Sequence, residues 1–353
     1  MQRVNNQLNS NKQYGIIGSG SWGTALAKIL TDNGQAIHWW NRSEEAIRSF
    51  QKRGHNPQYL SAARFDMSLL TLSTNLASVI HACEVLIVAV PSAYIHAVLS
   101  TVPKQAFAGK KILSAVKGIL PERNQLLHEY LADHFNVPLS EYLTVMGPCH
   151  AEEIAAEKLS YLTFSGTDPQ MLNQLLQDFK TAYVQTVANP DVLGVQYAAV
   201  LKNIYALAAG IAHGLEYGDN FLSVLTANAA REMGAFLQQQ NMTISSHLQH
   251  ERVAYKHQPD YAASVYLGDL LVTCYSPYSR NRQFGTMIGK GYSVKSAQLE
   301  MNMVAEGYNA SRCMHQINQA VGASIPIADT VFSILWDGIH PATAFSGLEA
   351  QLF

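Results

Sequence analysis

The stretch Tyr14-Gly-Ile-Ile-Gly-Ser-Gly-Ser-Trp-Gly-Thr-Ala-Leu-Ala-Lys-Ile-Leu-Thr-Asp-Asn-Gly-Gln-Ala-Ile-His-Trp-Trp40 divides into three pieces. Tyr14–Ile17 is a short apolar run and predicts a strand. Gly18-x-Gly20-x-x-Gly23 follows, and then apolar residues at helical spacing from Thr24 to about Asn33. Gly34 stops that helix, because glycine accepts positive φ. Ala36–Trp40 predicts the second strand. Strand, glycine turn, helix and strand in this order point to a dinucleotide site. Gly18 permits the tight turn, Gly20 lets the backbone approach a pyrophosphate, and Gly23 lets the helix pack close to the sheet. The helix N-terminus then offers free N–H groups and a positive dipole end to phosphate. A glycine-rich turn without a ligand is the bland alternative.

The end of the second strand bears on the choice of cofactor. An acid there would bind the ribose 2′-OH of NADH. The chain reads Trp40-Asn41-Arg42-Ser43 instead, and Arg42 suits the 2′-phosphate of NADPH. NADPH is favoured over NADH. Glu44 or Glu45 would reverse that preference if either replaced the missing acid.

Working outward, the alternation continues. Glu84–Val90 is an apolar run too short for a typical helix, and Pro91-Ser92 bounds it, so it predicts a buried parallel strand. Lys111–Val116 and Tyr142–Met146 predict two more, each followed by a loop with Gly and Pro. Strands alternating with helices imply an α/β fold with a Rossmann-like doubly wound parallel sheet. Ligands bind outside the carboxyl ends of such strands. After Asn189-Pro190 the pattern becomes helical: Val192–Ala212, Leu222–Gln239, Ala297–Met301, Ala305–Ala320 and Thr330–Trp336. The expected division is a polar tail at 1–12, a dinucleotide-binding domain at 13–190 and a mostly helical substrate and catalytic domain at 191–353. The Gln- and His-rich segment 238–261 predicts a surface excursion. No internal repeat is present.

The totals agree with this plan. The chain has 353 residues, enough for about two domains at roughly 150 residues each. Apolar residues make up 48% and charged residues 14%, which excludes a disordered chain or a coiled coil. Lys plus Arg is 24 against 26 for Asp plus Glu, so nothing in the charge suggests nucleic acid or an anionic membrane. Cys83, Cys149, Cys274 and Cys313 lie far apart with no CxxC pair, and a reducing compartment fits them best. The polar start of the chain has no apolar signal core, and no run of about 18 uninterrupted apolar residues predicts a membrane span. The histidines show no metal-ligand spacing, and no metal is expected.

Several strings recur in a recognisable order: Gly18-Ser-Gly-Ser-Trp-Gly-Thr-Ala-Leu-Ala27, Val116-Lys-Gly118, Gly147-Pro-Cys-His-Ala-Glu152, Leu201-Lys-Asn203, Gly214-Leu-Glu-Tyr-Gly-Asp-Asn220, Gly268-Asp-Leu270, Ser279-Arg-Asn-Arg-Gln-Phe-Gly285 and Ala305-Glu-Gly307. In order and spacing they resemble the soluble, biosynthetic NAD(P)-dependent glycerol-3-phosphate dehydrogenases, over about residues 14–340. The resemblance implies reduction of dihydroxyacetone phosphate to sn-glycerol 3-phosphate, feeding phospholipid synthesis, by a cytoplasmic homodimer. Three departures stand out. Cys149 replaces the family's Ser, the stretch between Met233 and Gly268 is longer than usual, and Phe221 follows Asp219-Asn220. A thiol donates poorly, so Cys149 weakens a substrate hydrogen bond.

Lys202 lies in the apolar helical run Ala198–Ala208, where a lysine is costly unless paired, functional or able to snorkel. Desolvation would lower its pKa towards the range useful for proton transfer. The resemblance makes it the acid/base that protonates the C2 oxygen as hydride arrives. It also implies that Lys117 contacts cofactor and substrate, where its charge would stabilise the developing alkoxide. Asp269 is then a substrate or ammonium contact, or else a helix N-cap. A carboxylate beside Lys202 would raise the pKa that burial lowers, and the net is open. Arg280, Asn281 and Ser279 suit a phosphate dianion, with Arg280 also touching cofactor. Arg282 reads as a structural ion-pair residue. The resemblance also implies that Gly147 and Cys149 face substrate, while Ser21, Trp22, Ala151, Val304 and Glu306 join Gly18, Gly20, Gly23 and Arg42 at the cofactor. Cys149-His150 is set aside as a nucleophilic pair, since hydride transfer to a ketone needs no covalent intermediate. The alternatives are a dehydrogenase for hydroxy acids, whose carboxylate would also use Arg280, and a non-catalytic dinucleotide sensor, which would not need Lys117, Lys202, Asp269 and Arg280 together.

Overall fold

The computed structural model describes residues 13–247, 260–301 and 305–353. The 1–12 tail, residues 248–259 of the polar segment and Val304 lie outside the described residues. The chain begins with β1 (Tyr14–Ile17), α1 (Ser21–Asp32), β2 (Ile37–Trp40), α2 (Glu44–Arg53), β3 (Leu70–Ser73), α3 (Leu76–Ala82), β4 (Val85–Val88), α4 (Ile95–Leu99) and β5 (Lys111–Ser114). It continues with α5 (Leu127–Phe135), β6 (Tyr142–Met146), α6 (Ala151–Ala155), β7 (Ser160–Ser165), α7 (Pro169–Asp178) and β8 (Val184–Asn189). The helical part comprises α8 (Gly194–Gly214), α9 (Asp219–His247), α10 (Asp269–Tyr275), α11 (Arg280–Gly289), α12 (Val294–Glu300), α13 (Glu306–Val321), α14 (Pro326–Trp336) and α15 (Pro341–Glu349).

The strands form one sheet in the order β3-β2-β1-β4-β5-β6-β7-β8. The order reverses between β1 and β4, the switch point where an open α/β sheet leaves a crevice for a ligand. All neighbours pair in parallel except β6 and β7. That antiparallel step follows from the short hairpin-like return through α6 and turns β7 and β8 against the rest of the sheet. β1, β4 and β6 are buried at every position, which is why they read as unbroken apolar runs. The predicted strand at Glu84–Val90 is shorter in the structure. Ala89 and Val90 leave the sheet to pack beside Gly18, whose positive φ of 118° brings it against the Ala89 carbonyl.

The helical part is built around α8. Every residue from Gly194 to Ala212 is buried, and α9, α10, α11, α13 and α14 pack around it. Its length and hydropathy would suit a membrane span, but its whole apolar window is buried in protein, as in a core helix. Helix α11 lies so close that a Cβ at Gly210 would stand 2.1 Å from the Arg282 carbonyl oxygen, and one at Gly285 would stand 2.2 Å from the Leu207 oxygen. Glycine allows this backbone approach, and it brings the start of α11 beside Asn203 of α8. Glu232 of α9 caps the start of α14 through the Ile327 and Ala328 N–H groups, and burial pushes its carboxyl up to about 8.

Candidate active site

The loop between β1 and α1 is a braced cradle. A Cβ at Gly18 would meet the Ala89 oxygen at 2.6 Å, and one at Gly23 would meet the Gly18 oxygen at 2.3 Å. The Trp39 indole donates to the Gly18 oxygen at 2.9 Å, and the Asn56 amide donates to the Ser19 oxygen at 3.0 Å and to Thr24 Oγ1 at 2.8 Å. Gly20 is different, for a Cβ there would meet nothing within 4 Å. Open space therefore stands over the backbone at the start of the 12-residue α1. A pyrophosphate fits such a cradle. Ser21 is buried in the first turn, and Trp22 Nε1 is buried without a partner. Arg42 is exposed just beyond β2 and has no ion pair among the described residues. Glu44 is engaged elsewhere, accepting from Thr74 Oγ1 at 2.6 Å. Arg42 and Glu45 are thus the charged groups at that strand end without an ion pair or side-chain hydrogen bond among the described residues.

At the carboxyl ends of β5 and β6 a second group of residues meets the helical part. Lys117 follows β5, Lys202 comes from α8, and Asp269 opens α10. Lys202 Nζ donates to Asp269 Oδ1 at 2.5 Å, and Lys117 Nζ lies 3.9 Å from Asp269 Oδ2. Lys202 is 4% exposed and Asp269 2%, so the pair is almost dry. Gly268, not Asp269, holds the N-cap position of α10, and the carboxylate is turned to the two ammoniums. Burial pushes Lys202 down to about 8, opposed by the Asp269 charge and reinforced by Lys117. Burial also acts to lower Lys117, but Asp269 and Cys149 outweigh it and its pKa is raised. One carboxylate thus leaves one lysine a fixed cation and the other able to exchange its proton near neutral pH. Asp269 Oδ2 has no hydrogen bond among the described residues.

The β6–α6 loop lines the same centre. Gly147 takes a φ of 120°. Cys149 Sγ donates to the Gly147 oxygen at 3.1 Å, and Lys117 Nζ stands 3.8 Å from that sulfur. Burial pushes the Cys149 thiol up, so it stays protonated and is no nucleophile. Ala151 is buried at the first position of α6.

The start of α11 is partly committed to structure. Ser279 Oγ accepts from the Arg282 N–H at 3.3 Å as the helix cap, while its own hydroxyl proton remains to be donated. Asn281 Nδ2 donates to Asn203 Oδ1 at 2.9 Å, and Asn281 Oδ1 accepts from the Gly307 N–H at 2.9 Å. Asn203 Nδ2 in turn donates to the Lys117 oxygen at 2.8 Å. This chain ties the Lys117 loop to α8, α11 and α13. Arg280 is exposed and has no ion pair among the described residues, and it lines a cleft of about 600 Å³ with Arg282 and His213. Arg282 has no ion pair there either, and its guanidinium reaches only the Tyr275 oxygen at 3.4 Å. Glu306 accepts from the Ser92 N–H at 3.0 Å and from Ser92 Oγ at 2.5 Å, closing over Gly118. Val304 lies outside the described residues.

The structure therefore brings Lys117, Gly147, Cys149, Lys202 and Asp269 together, with Glu306 over Gly118 beside Lys117; Arg280 opens α11 in a cleft that none of these five lines, and Arg42 follows β2. Sequence reasoning missed Ser92 and Asn56, quoted Asn203 without giving it a role, and weighed His150 only as a partner for a Cys149 nucleophile. Asn203 stands beside Lys202, and Ser92 follows Pro91 in the turn after β4, which are the signals available for two of them. Asn56 lies in a loop with no signal at all.

Comparisons with known proteins agree along the whole length. Residues 13–172 match the family model described as NAD-dependent glycerol-3-phosphate dehydrogenase N-terminus, and residues 191–346 match the C-terminus model of the same family. A glycerol-3-phosphate dehydrogenase [NAD(P)+] of Macrococcus caseolyticus is 31% identical over 332 residues, covering 93% of this chain and 94% of that protein. The enzyme of the same name from Bacillus licheniformis is 31% identical over 344 residues, covering 96% and 94%. Among solved structures, glycerol-3-phosphate dehydrogenase from Coxiella burnetii superposes with a TM-score of 0.82 at 28% identity, covering 96% of this chain and 98% of that one.

Proposed function

Because the chain belongs to the NAD-dependent glycerol-3-phosphate dehydrogenase family, we propose that its buried Lys202–Asp269 pair carries the proton in the NAD(P)H-dependent reduction of dihydroxyacetone phosphate to sn-glycerol 3-phosphate. When bound, the reduced nicotinamide supplies the hydride that reaches C2. Lys202 gives its proton to the C2 oxygen, so the ketone becomes an alcohol and the lysine is left neutral. In the reverse direction the neutral amine takes that proton back. The observation that carries this reading is a lysine buried in α8 with its pKa lowered to about 8, held by one carboxylate. A pKa near the working pH suits a group that must both give and accept a proton.

Asp269 orients the Lys202 ammonium. Lys117 remains charged and stabilises negative charge growing on the oxygen, in a site from which water is largely excluded. Arg280 is the free guanidinium that meets the phosphate of the substrate, with Ser279 donating beside it. Asn281 acts through Asn203, holding the Lys117 loop in place. The glycine cradle with Ser21, Trp22 and Ala151 takes the dinucleotide, and Glu306 fixes the edge of that crevice through Ser92. Arg42 favours NADPH. Residues 13–190 then act as the cofactor domain and 191–353 as the substrate domain. We place the reaction in the cytoplasm, in keeping with four free buried cysteines, as a homodimer supplying phospholipid synthesis.

The test is direct. The purified chain is mixed with NADPH and dihydroxyacetone phosphate, and the loss of reduced-cofactor absorbance is followed. Turnover is expected. Turnover of a 2-keto acid in its place would favour a hydroxy-acid dehydrogenase, and binding without turnover would favour a sensor.

A further inference from the structure

We propose that His150 is a specificity-determining residue, hydrogen-bonding the C1 hydroxyl of dihydroxyacetone phosphate; this rests on the substrate reading above. His150 stands between Cys149 and Ala151 in the loop from β6 to α6. It occupies the N-cap position of α6, where its carbonyl oxygen accepts from the Glu153 and Ile154 N–H groups but its ring caps no backbone N–H. Neither ring nitrogen has a hydrogen-bond partner among the described residues, and Nδ1 is sealed from solvent. A buried polar group left unpaired is costly, so such an imidazole in a site calls for a partner that arrives with the ligand.

Its surroundings say which part of the ligand. The ring centroid is 6.3 Å from that of Tyr278, the residue before Ser279 and Arg280, so His150 faces the loop that leads into α11. Burial pushes its pKa down to about 4, and the charges of Lys202 and Lys117 push the same way, with Arg280 contributing less. The imidazole is therefore neutral at working pH, and it follows Cys149, whose sulfur lies 3.8 Å from Lys117 Nζ, so the loop that carries it runs from the lysine cluster towards Tyr278. Dihydroxyacetone phosphate presents three polar groups. The phosphate dianion is met by Arg280 and the ketone oxygen by Lys202. The hydroxyl at C1 is neutral and can donate or accept, and a ring nitrogen of a neutral imidazole can meet it in either role, accepting in one tautomer and donating in the other.

The experiment compares dihydroxyacetone phosphate with acetol phosphate, the same molecule without the C1 hydroxyl, in the wild type, His150→Phe and His150→Gln. Phe keeps a ring against Tyr278 and removes both nitrogens. Gln carries an amide to about the place of Nε2. The expected result for His150→Phe is a loss of about 10–100-fold in kcat/KM with dihydroxyacetone phosphate and less than about threefold with acetol phosphate. His150→Gln should recover part of the discrimination. An equal loss on both substrates would show a merely structural role and overturn the inference, as would no loss on either. A wild type that does not reduce dihydroxyacetone phosphate would overturn the parent reading, and this one with it.

Discussion

The pH dependence of the two directions should run in opposite senses through one pKa. Lys202 stands at about 8 instead of 10.5, which corresponds to roughly 3 kcal/mol against its charged form. Reduction uses the ammonium as an acid. About nine-tenths of it is protonated at pH 7 and about one-tenth at pH 9, so kcat/KM for reduction should be level below 8 and fall nearly tenfold per pH unit above it. Oxidation of sn-glycerol 3-phosphate uses the neutral amine, so its kcat/KM should rise through the same region and level off above it. The substrate phosphate ionises near 6, well clear of this limb. Initial rates in both directions, at matched ionic strength from pH 6 to 10, supply the profile. Asp269→Asn adds a second check. The carboxylate raises the Lys202 pKa, so its loss should move both limbs to lower pH. Profiles that are flat from 7 to 10, or that slope the same way in both directions, would refute the assignment of the proton to Lys202.

Arg280→Ala should raise KM for dihydroxyacetone phosphate and lower kcat/KM by about 10–100-fold, the loss of a charged hydrogen-bonding partner; an unchanged KM in steady-state kinetics would remove it from the phosphate site. Arg42→Ala should weaken NADPH by about tenfold in fluorescence titration and leave NADH unchanged, whereas equal effects on both would end the case for a 2′-phosphate contact. Gly210→Ala would place a Cβ 2.1 Å from the Arg282 carbonyl oxygen and should destabilise by at least about 1–3 kcal/mol; a thermal melt with no shift would show that α8 and α11 are not so close.

The legible parts of this fold were those where one physical demand dominates. β1, β4 and β6 are buried on both faces, so they had to be continuous apolar runs, and the glycine spacing placed the cradle between β1 and α1. β3, β7 and β8 were not anticipated. β3 and β8 are the two edges of the sheet, mostly half-buried or exposed, and mix polar with apolar residues, Leu70-Thr-Leu-Ser and Val184-Gln-Thr-Val-Ala-Asn, in a pattern that does not differ from a loop. β7 alternates only weakly, and its antiparallel pairing depends on the turn through α6. In the site, Lys202 was visible because an isolated lysine in an apolar helix is costly. Whether burial or Asp269 would set its pKa was not visible, since that depends on a 2.5 Å contact between residues 67 positions apart. The Asn203–Asn281–Gly307 chain is of the same kind. Asn281 looked like a phosphate ligand from its place beside Arg280, and only the packing of α11 against α8 shows its amide engaged on both sides.

The most direct measurement is Lys202→Ala in a single-turnover experiment with preformed NADPH complex, beside the dissociation constant for NADPH. The rate of reduction should fall by about 10²–10⁴-fold, the usual contribution of a positioned acid, while the NADPH constant stays within a few-fold of wild type. A variant that reduces dihydroxyacetone phosphate at the wild-type rate would contradict the account outright.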